Sequence, residues 1–179
     1  MPNYSHNTLI IEGESKLLSK FKGKLEKKEN YSLEDLFPMP EILDRTIAPS
    51  INAIGQEYSN EFEVELAQKE GTEIPELKKC SNNTKEKQEA LIEKYGCSDW
   101  HDWRNTNWGT KWIQDFELVE SLNEKLIYTF ESAWAPPISL LENISSNYSK
   151  LKFSISYNVF EEMGDETDLI IIKNGSKVI

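Results

Sequence analysis

The order in which strand-like and helix-like runs follow one another restricts this chain more than any single motif. The clearest run is LKFSISYN at 151–158, where Leu151, Phe153, Ile155 and Tyr157 take alternate positions against polar neighbours. Period two puts those side chains on one face of a half-buried strand. NTLIIE at 7–12 is apolar and β-branched, bounded by polar residues and Gly13, and reads as a first strand. IQDFELVE (113–120) and EKLIYTFES (124–132) flank a turn at SLNE and predict a hairpin. Leu126, Tyr128 and Phe130 alternate cleanly in its second arm, whereas Asp115, Glu117 and Leu118 break the alternation of the first. DLIIIK at 168–173 is a last short strand, followed by the turn signal Asn174-Gly175.

Helical spacing appears in three places. Leu17, Leu18, Phe21 and Leu25 follow Ser15, a residue suited to capping, and predict an amphipathic helix of about fifteen residues that is lost near Asn30. TKEKQEALIEKY at 84–95 reads as a helix between Thr84 as cap and Gly96 as terminator. After Pro136-Pro137, Ile138, Leu141 and Ile144 supply the stripe of another, with one proline in its first turn. Between residues 31 and 44 Pro38 and Pro40 interrupt regular structure, and Pro40 can open a short helix over EIL. Residues 45–83 are polar, with only FEVEL (62–66) showing alternation. With about 30–112 set aside as a largely helical insertion, the order is βαββαβ. That is the ferredoxin-like arrangement, an α+β fold. It predicts one domain with an antiparallel sheet, both helices on one face and the C-terminal strand added at an edge.

Asp and Glu number 31 against 20 Lys and Arg, a net charge of −11. Such a balance serves solubility, or fits a basic partner, including one that ordinarily binds nucleic acid and is here offered a mimic. It argues against general nucleic-acid binding, which needs cations to displace counterions. Cys80 and Cys97 form no CxxC pair, and two cysteines make no disulfide framework. The opening MPNYSHNTLII lacks the basic start and apolar run of a signal peptide. No apolar run approaches the roughly 20 residues of a membrane span, so a cytoplasmic chain is expected.

Four stretches resemble the Api92-like family, whose ferredoxin-like domain is also found in plasmid proteins of the YubB type. Met1-Pro2-Asn3-Tyr4-Ser5-His6-Asn7 is similar to the family's MPNWCxN opening, with Tyr4 and Ser5 where Trp and Cys are usual. Phe37-Pro38-Met39-Pro40-Glu41 is similar to its PMPEEL segment, and Asn107-Trp108-Gly109-Thr110-Lys111-Trp112 matches NWGTKW. Ser132-Ala133-Trp134-Ala135-Pro136-Pro137-Ile138 is similar to TAWSPP, while Ser156–Gly164 keeps part of the SYxEPGxxFxG continuation. The resemblance implies the same fold and a phage or plasmid setting. It implies no activity.

All five tryptophans lie between residues 100 and 134. Packing is the expectation for Trp108, Trp112 and Trp134, with their indole N–H groups on backbone carbonyls. Trp100 and Trp103 sit in the charged context SDWHDWR, and with Arg104 and Lys111 they make the candidate binding site. Cys97 and His101 are four apart, but zinc wants four ligands or three and a water, and His6 and Cys80 are not in motif spacing. No metal or cofactor is expected. The chain lacks GxSxG, HExxH, GxxxxGK[ST] and GxGxxG, so no catalytic residue is assigned. Glu161, Glu162, Asp165, Glu166 and Asp168 make an acidic cluster that reads as a solvated loop.

The leading expectation is a non-enzymatic binding protein of a phage, prophage or plasmid. Its partner would be a host or element-encoded protein, an inhibited defence system being one instance. The alternative is a single-stranded nucleic-acid-binding module that uses the Trp cluster and the sheet aromatics Tyr4, Tyr128, Phe130 and Phe153. An enzyme with an unrecognised site stands third.

Overall fold

Alternation decides which side of each strand is buried, and strand register decides which buried residues meet. The computed structural model describes residues 4–26, 31–46, 85–159 and 168–178. Two compact units are distinguished, Met1–Pro38 with Arg104–Ile179, and Met39–Trp103.

The first unit holds a six-stranded antiparallel sheet. β1 is Tyr4–Glu12, β2 Ile113–Ser121, β3 Lys125–Ala133, β4 Lys152–Val159, β5 Asp168–Lys173 and β6 Ser176–Lys177. Their order across the sheet is β2-β3-β1-β4-β5-β6. The first four strands have the neighbours of a ferredoxin-like domain, and β5 with β6 extends the β4 edge. Asn174 and Gly175 both have positive φ, 51° and 80°, which is the conformation of a type I′ hairpin turn. That turn folds the last residues back as β6, a strand beyond the one expected.

α1 (Ser15–Leu25) and a second helix, Ile138–Asn147, cover one face. α1 buries Leu18, Phe21 and Leu25, and the Phe21 ring meets Phe153 of β4 edge-on at 5.9 Å. The covered face is built from adjacent rows. Leu118, Tyr128, Leu9, Ile155 and Ile170 form one, and Ser121, Leu126, Ile11, Phe153 and Ile172 the next. Leu9, Ile11, Tyr128, Phe153, Ile155 and Ile172 are fully excluded from solvent. Burial of that apolar area, at about 25 cal/mol per Å², is the main force holding helices to sheet.

Three details correct the sequence reading. Ser15 is the first helical residue of α1, and Glu14 takes the cap position without a side-chain bond. α1 is also shorter than expected, with Glu26 as its C-cap. In Ile138–Asn147 the buried residues are Leu140, Leu141, Ile144 and Ser145, whereas Ile138 is half-buried.

The second unit is described over 39–46 and 85–103. Glu41–Arg45 is a short 3-10 turn capped by Pro40, as the proline pattern predicted. α2 (Lys85–Tyr95) ends at Gly96, which has φ +79° and donates its N–H to Ile92 O. α3 (Trp100–Asn107) was not read from the sequence and begins in this unit. Asp99 caps it, accepting from the N–H groups of His101 and Asp102 at 3.0 Å each. The helix Ile138–Asn147 is α4. Thr84, FEVEL, Cys80 and the acidic cluster at Glu161–Glu166 lie outside the described residues.

Candidate functional site

Residues from the four stretches that carry the family resemblance, Asn7, Phe37, Trp108, Thr110 and Ser132 among them, are linked by hydrogen bonds in the first unit. The Asn7 amide Nδ2 donates to Ser5 O, Phe130 O and Ser132 Oγ. Ser132 Oγ donates on to Ala135 O at 2.8 Å. Thr110 Oγ1 donates to Ala133 O at 2.9 Å, and Leu140 N–H to Trp108 O. The Trp108 indole Nε1 donates to Phe37 O at 3.0 Å. Gly109, at φ +78°, makes the turn that leads from α3 toward β2. The quoted motifs are therefore largely spent on positioning backbone.

The tryptophans divide accordingly. Trp108 is 2% exposed, as expected of a packing residue. Trp112 is half-buried and its ring lies 5.3 Å from that of Tyr4. Trp134 departs from the packing expectation, for it is 46% exposed with φ +62°. It occupies the turn out of β3, where Pro136 and Pro137 are the buried residues instead.

The candidate binding residues fare differently from one another. Trp103 is 6% exposed and so is no surface platform. Trp100 is half-buried, its N–H donates to Thr46 Oγ1, and its ring meets His101 edge-on. In the first unit the Arg104 guanidinium lies over the Trp108 ring at 4.8 Å and donates to Lys111 O at 3.3 Å. The Arg104 side chain is thus bonded to the backbone of Lys111. Near Arg104, burial raises the Glu34 carboxyl above its ordinary value, opposed by Arg104 and by the Ile113 N–H bond.

Asp99, His101 and Asp102 place one ligand atom each within 4.8 Å of one another. Asp99 is 1% exposed and already holds two helix N–H groups, so its carboxylate serves as a cap. The Cys97 thiol lies 3.8 Å from Tyr95 O, outside that trio.

The sheet face opposite α1 and α4 carries rows of polar residues. Register places Gln114, Glu131, His6 and Asn158 in one row across four strands. His6 Nδ1 lies 3.2 Å from Glu131 Oε1, and Gln114 Nε2 donates to Glu131 Oε2 at 2.8 Å. Glu117, Thr129, Thr8, Ser156 and Leu169 make the next row. Beyond it Glu120, Ile127, Ile10, Ser154 and Ile171 include three half-exposed isoleucines. At the far end Lys152 Nζ pairs with Glu12 at 2.8 Å. Asp115, Glu117, Glu131, His6, Thr8 and Asn158 line a depression of about 440 Å³ in this face.

Aromatic stacking on this face is scarce. Tyr128, Phe130 and Phe153, expected as sheet aromatics, all belong to the covered face. Tyr4, beside Trp112, is the one of that set on the open side.

Residues 107–167 match the family model of the ferredoxin-like domain in Api92-like protein. Over those residues the chain is similar to the Api92-like ferredoxin-like domain. The chain is also similar to a solved structure, the crystal structure of a protein api92 from Yersinia pseudotuberculosis. The identity is 11% and the TM-score 0.51, over 99% of this chain and 96% of that one. At that identity the likeness speaks to fold alone, and it agrees with the ferredoxin-like sheet order. No curated protein matches the chain. No described helix is long and apolar enough to cross a membrane.

The His6–Glu131 row escaped sequence reading because residues 125 positions apart meet only through β1–β3 register. The signal available was period two: His6 is out of phase with Leu9 and Ile11, and Glu131 with Leu126, Tyr128 and Phe130, buried residues of their strands.

Proposed function

We propose that this protein is a non-enzymatic binding protein that holds a basic protein partner against the open face of its sheet. The observation that carries the reading is the make-up of that face. Asp115, Glu117, Glu120 and Glu131 gather at its β2 side, next to the strip of Ile10, Ile127 and Ile171. Asp115, Glu117 and Glu120 carry no ion pair among the described residues. An apolar strip edged by carboxylates suits a cationic protein surface, where burial gives affinity and charge gives approach rate and register. A phosphate backbone would be repelled, and the central strands offer little for bases to stack on.

The proposed setting is a phage, prophage or plasmid, which the family resemblance implies. In that setting the partner would be a host or element-encoded protein that itself binds nucleic acid, for which the acidic face acts as a mimic. Capture from bacterial lysate with the wild type and with Glu117→Lys/Glu120→Lys tests the reading. The retained protein should be basic, should be lost with the double variant, and should release steeply between low and physiological salt. Retention indifferent to both charge reversal and salt would sink it.

A further inference from the structure

We infer that the solvent face of α1 is a second docking surface, for the phosphate backbone of a nucleic acid. It is independent of the open sheet face and lies on the other side of the sheet.

Within α1, SKLLSKFKGKL, four lysines stand with no acidic residue, a local +4 between the capping Glu14 and Glu26 in a chain of net −11. Positive charge is concentrated where the rest of the chain is acidic. The apolar side of α1 is consumed by the core through Leu18, Phe21 and Leu25, so the helix cannot insert into a membrane or a partner groove. What it presents outward is Lys16, Ser19, Lys20, Gly23 and Lys24, all exposed. Lys16, Lys20 and Lys24 recur every four residues, spaced about 6 Å along the axis. Like charges at that spacing repel and weaken a helix. Lys22 takes the nearby acid, pairing with Glu26 at 3.8 Å, and Lys24 lies 5.8 Å from the Tyr148 ring. Lys16 and Lys20 have no ion pair among the described residues.

Gly23 is the second, independent observation. It sits inside the helix on this same face, and a Cβ there would meet nothing within 4 Å. Packing does not require a glycine, and a glycine weakens a helix interior. A flat Ser19–Gly23 strip between lysines instead lets an extended partner approach the helix closely. All the cations are lysines, point charges suited to sequence-independent phosphate contact and lacking the bidentate fork of arginine. At physiological salt the Debye length is about 8 Å, so carboxylates beyond the sheet are screened from an anion lying along α1.

The test uses the full chain and fluorescently labelled single- and double-stranded oligonucleotides, followed by anisotropy across a salt series. Binding is expected at low salt, and Lys16→Gln/Lys20→Gln/Lys24→Gln should weaken it at least roughly tenfold. The slope of log K against log salt should shrink by about 0.9 per lysine removed for duplex DNA. Gly23→Glu should weaken binding on its own, while Glu117→Lys/Glu120→Lys should leave lysine dependence intact, which separates this surface from the open face. Circular dichroism should show the triple variant folded, since the replaced side chains are exposed. No oligonucleotide binding at low salt, or binding that the triple variant retains in full, overturns the inference. So does lysine-dependent binding to phosphatidylserine vesicles without oligonucleotide binding, which would assign the face to a membrane.

Discussion

Asn7 has two amide hydrogens and lies against three acceptors, Ser5 O at 2.8 Å, Ser132 Oγ at 2.9 Å and Phe130 O at 3.3 Å. It is 3% exposed, so none of these can be handed to bulk water. Replacing it by Ala strands the acceptors in a dry site, a penalty larger than the mean value of a hydrogen bond. Asn7→Ala should cost about 2–3 kcal/mol, read as a fall of roughly 4–12 °C in a circular-dichroism melt. Tyr128 is the opposite case. Its ring stacks on Phe116 at 4.8 Å, yet its buried hydroxyl has no hydrogen-bond partner among the described residues. Tyr128→Phe keeps the stacking and deletes the orphaned group, so stability should rise by about 1 kcal/mol in urea titration. A loss of stability would reveal a partner for that hydroxyl. Neither residue was separable from its neighbours by sequence alone. Asn7 opened an apolar run and Tyr128 looked like any inward aromatic, because hydrogen-bond partners are set by tertiary placement.

At the scale of elements, legibility followed regularity. β1, β3 and β4 were readable because one face of each is buried and period two survives in the residues. β2 was read with an irregular pattern, and the irregularity is structural. Its register against β3 shifts between Gln114 and Glu117 and again between Leu118 and Glu120. Asp115 takes φ +51° at the first shift. β2 is an edge strand, and bulges with outward carboxylates discourage another strand from pairing there. Asp115→Gly should therefore stabilise by about 1 kcal/mol, since glycine takes the left-handed region without strain. Asp115→Val should destabilise by a similar amount and raise light scattering on heating, through both strain and a flatter edge. α3 escaped the reading because it is eight residues long and its apolar period is short. Asp99 followed by Asp102 is the capping pattern that could have marked its start.

For the molecule as a whole, charge is the property that links fold to proposed function. A net charge of −11 repels itself at neutral pH, and two carboxyls add to that strain individually. Burial raises Glu34 above its ordinary value of 4.5 and Asp99 above 3.8. Each group holds its proton more tightly in the folded chain than in the unfolded one. Over the window between the unfolded and the folded value, the folded state binds more protons, so stability falls as pH rises. These contributions are complete below the ordinary values and are lost as pH climbs through the raised ones. The wild-type urea midpoint should thus decline as pH rises from the ordinary values of these two carboxyls, with unchanged m-value. Glu34→Gln keeps an acceptor for Ile113 N–H but cannot ionise, so its midpoint should depend less on pH across that window. A wild-type midpoint that climbs steadily to pH 7 would mean that carboxylates paired in the fold outweigh the buried ones.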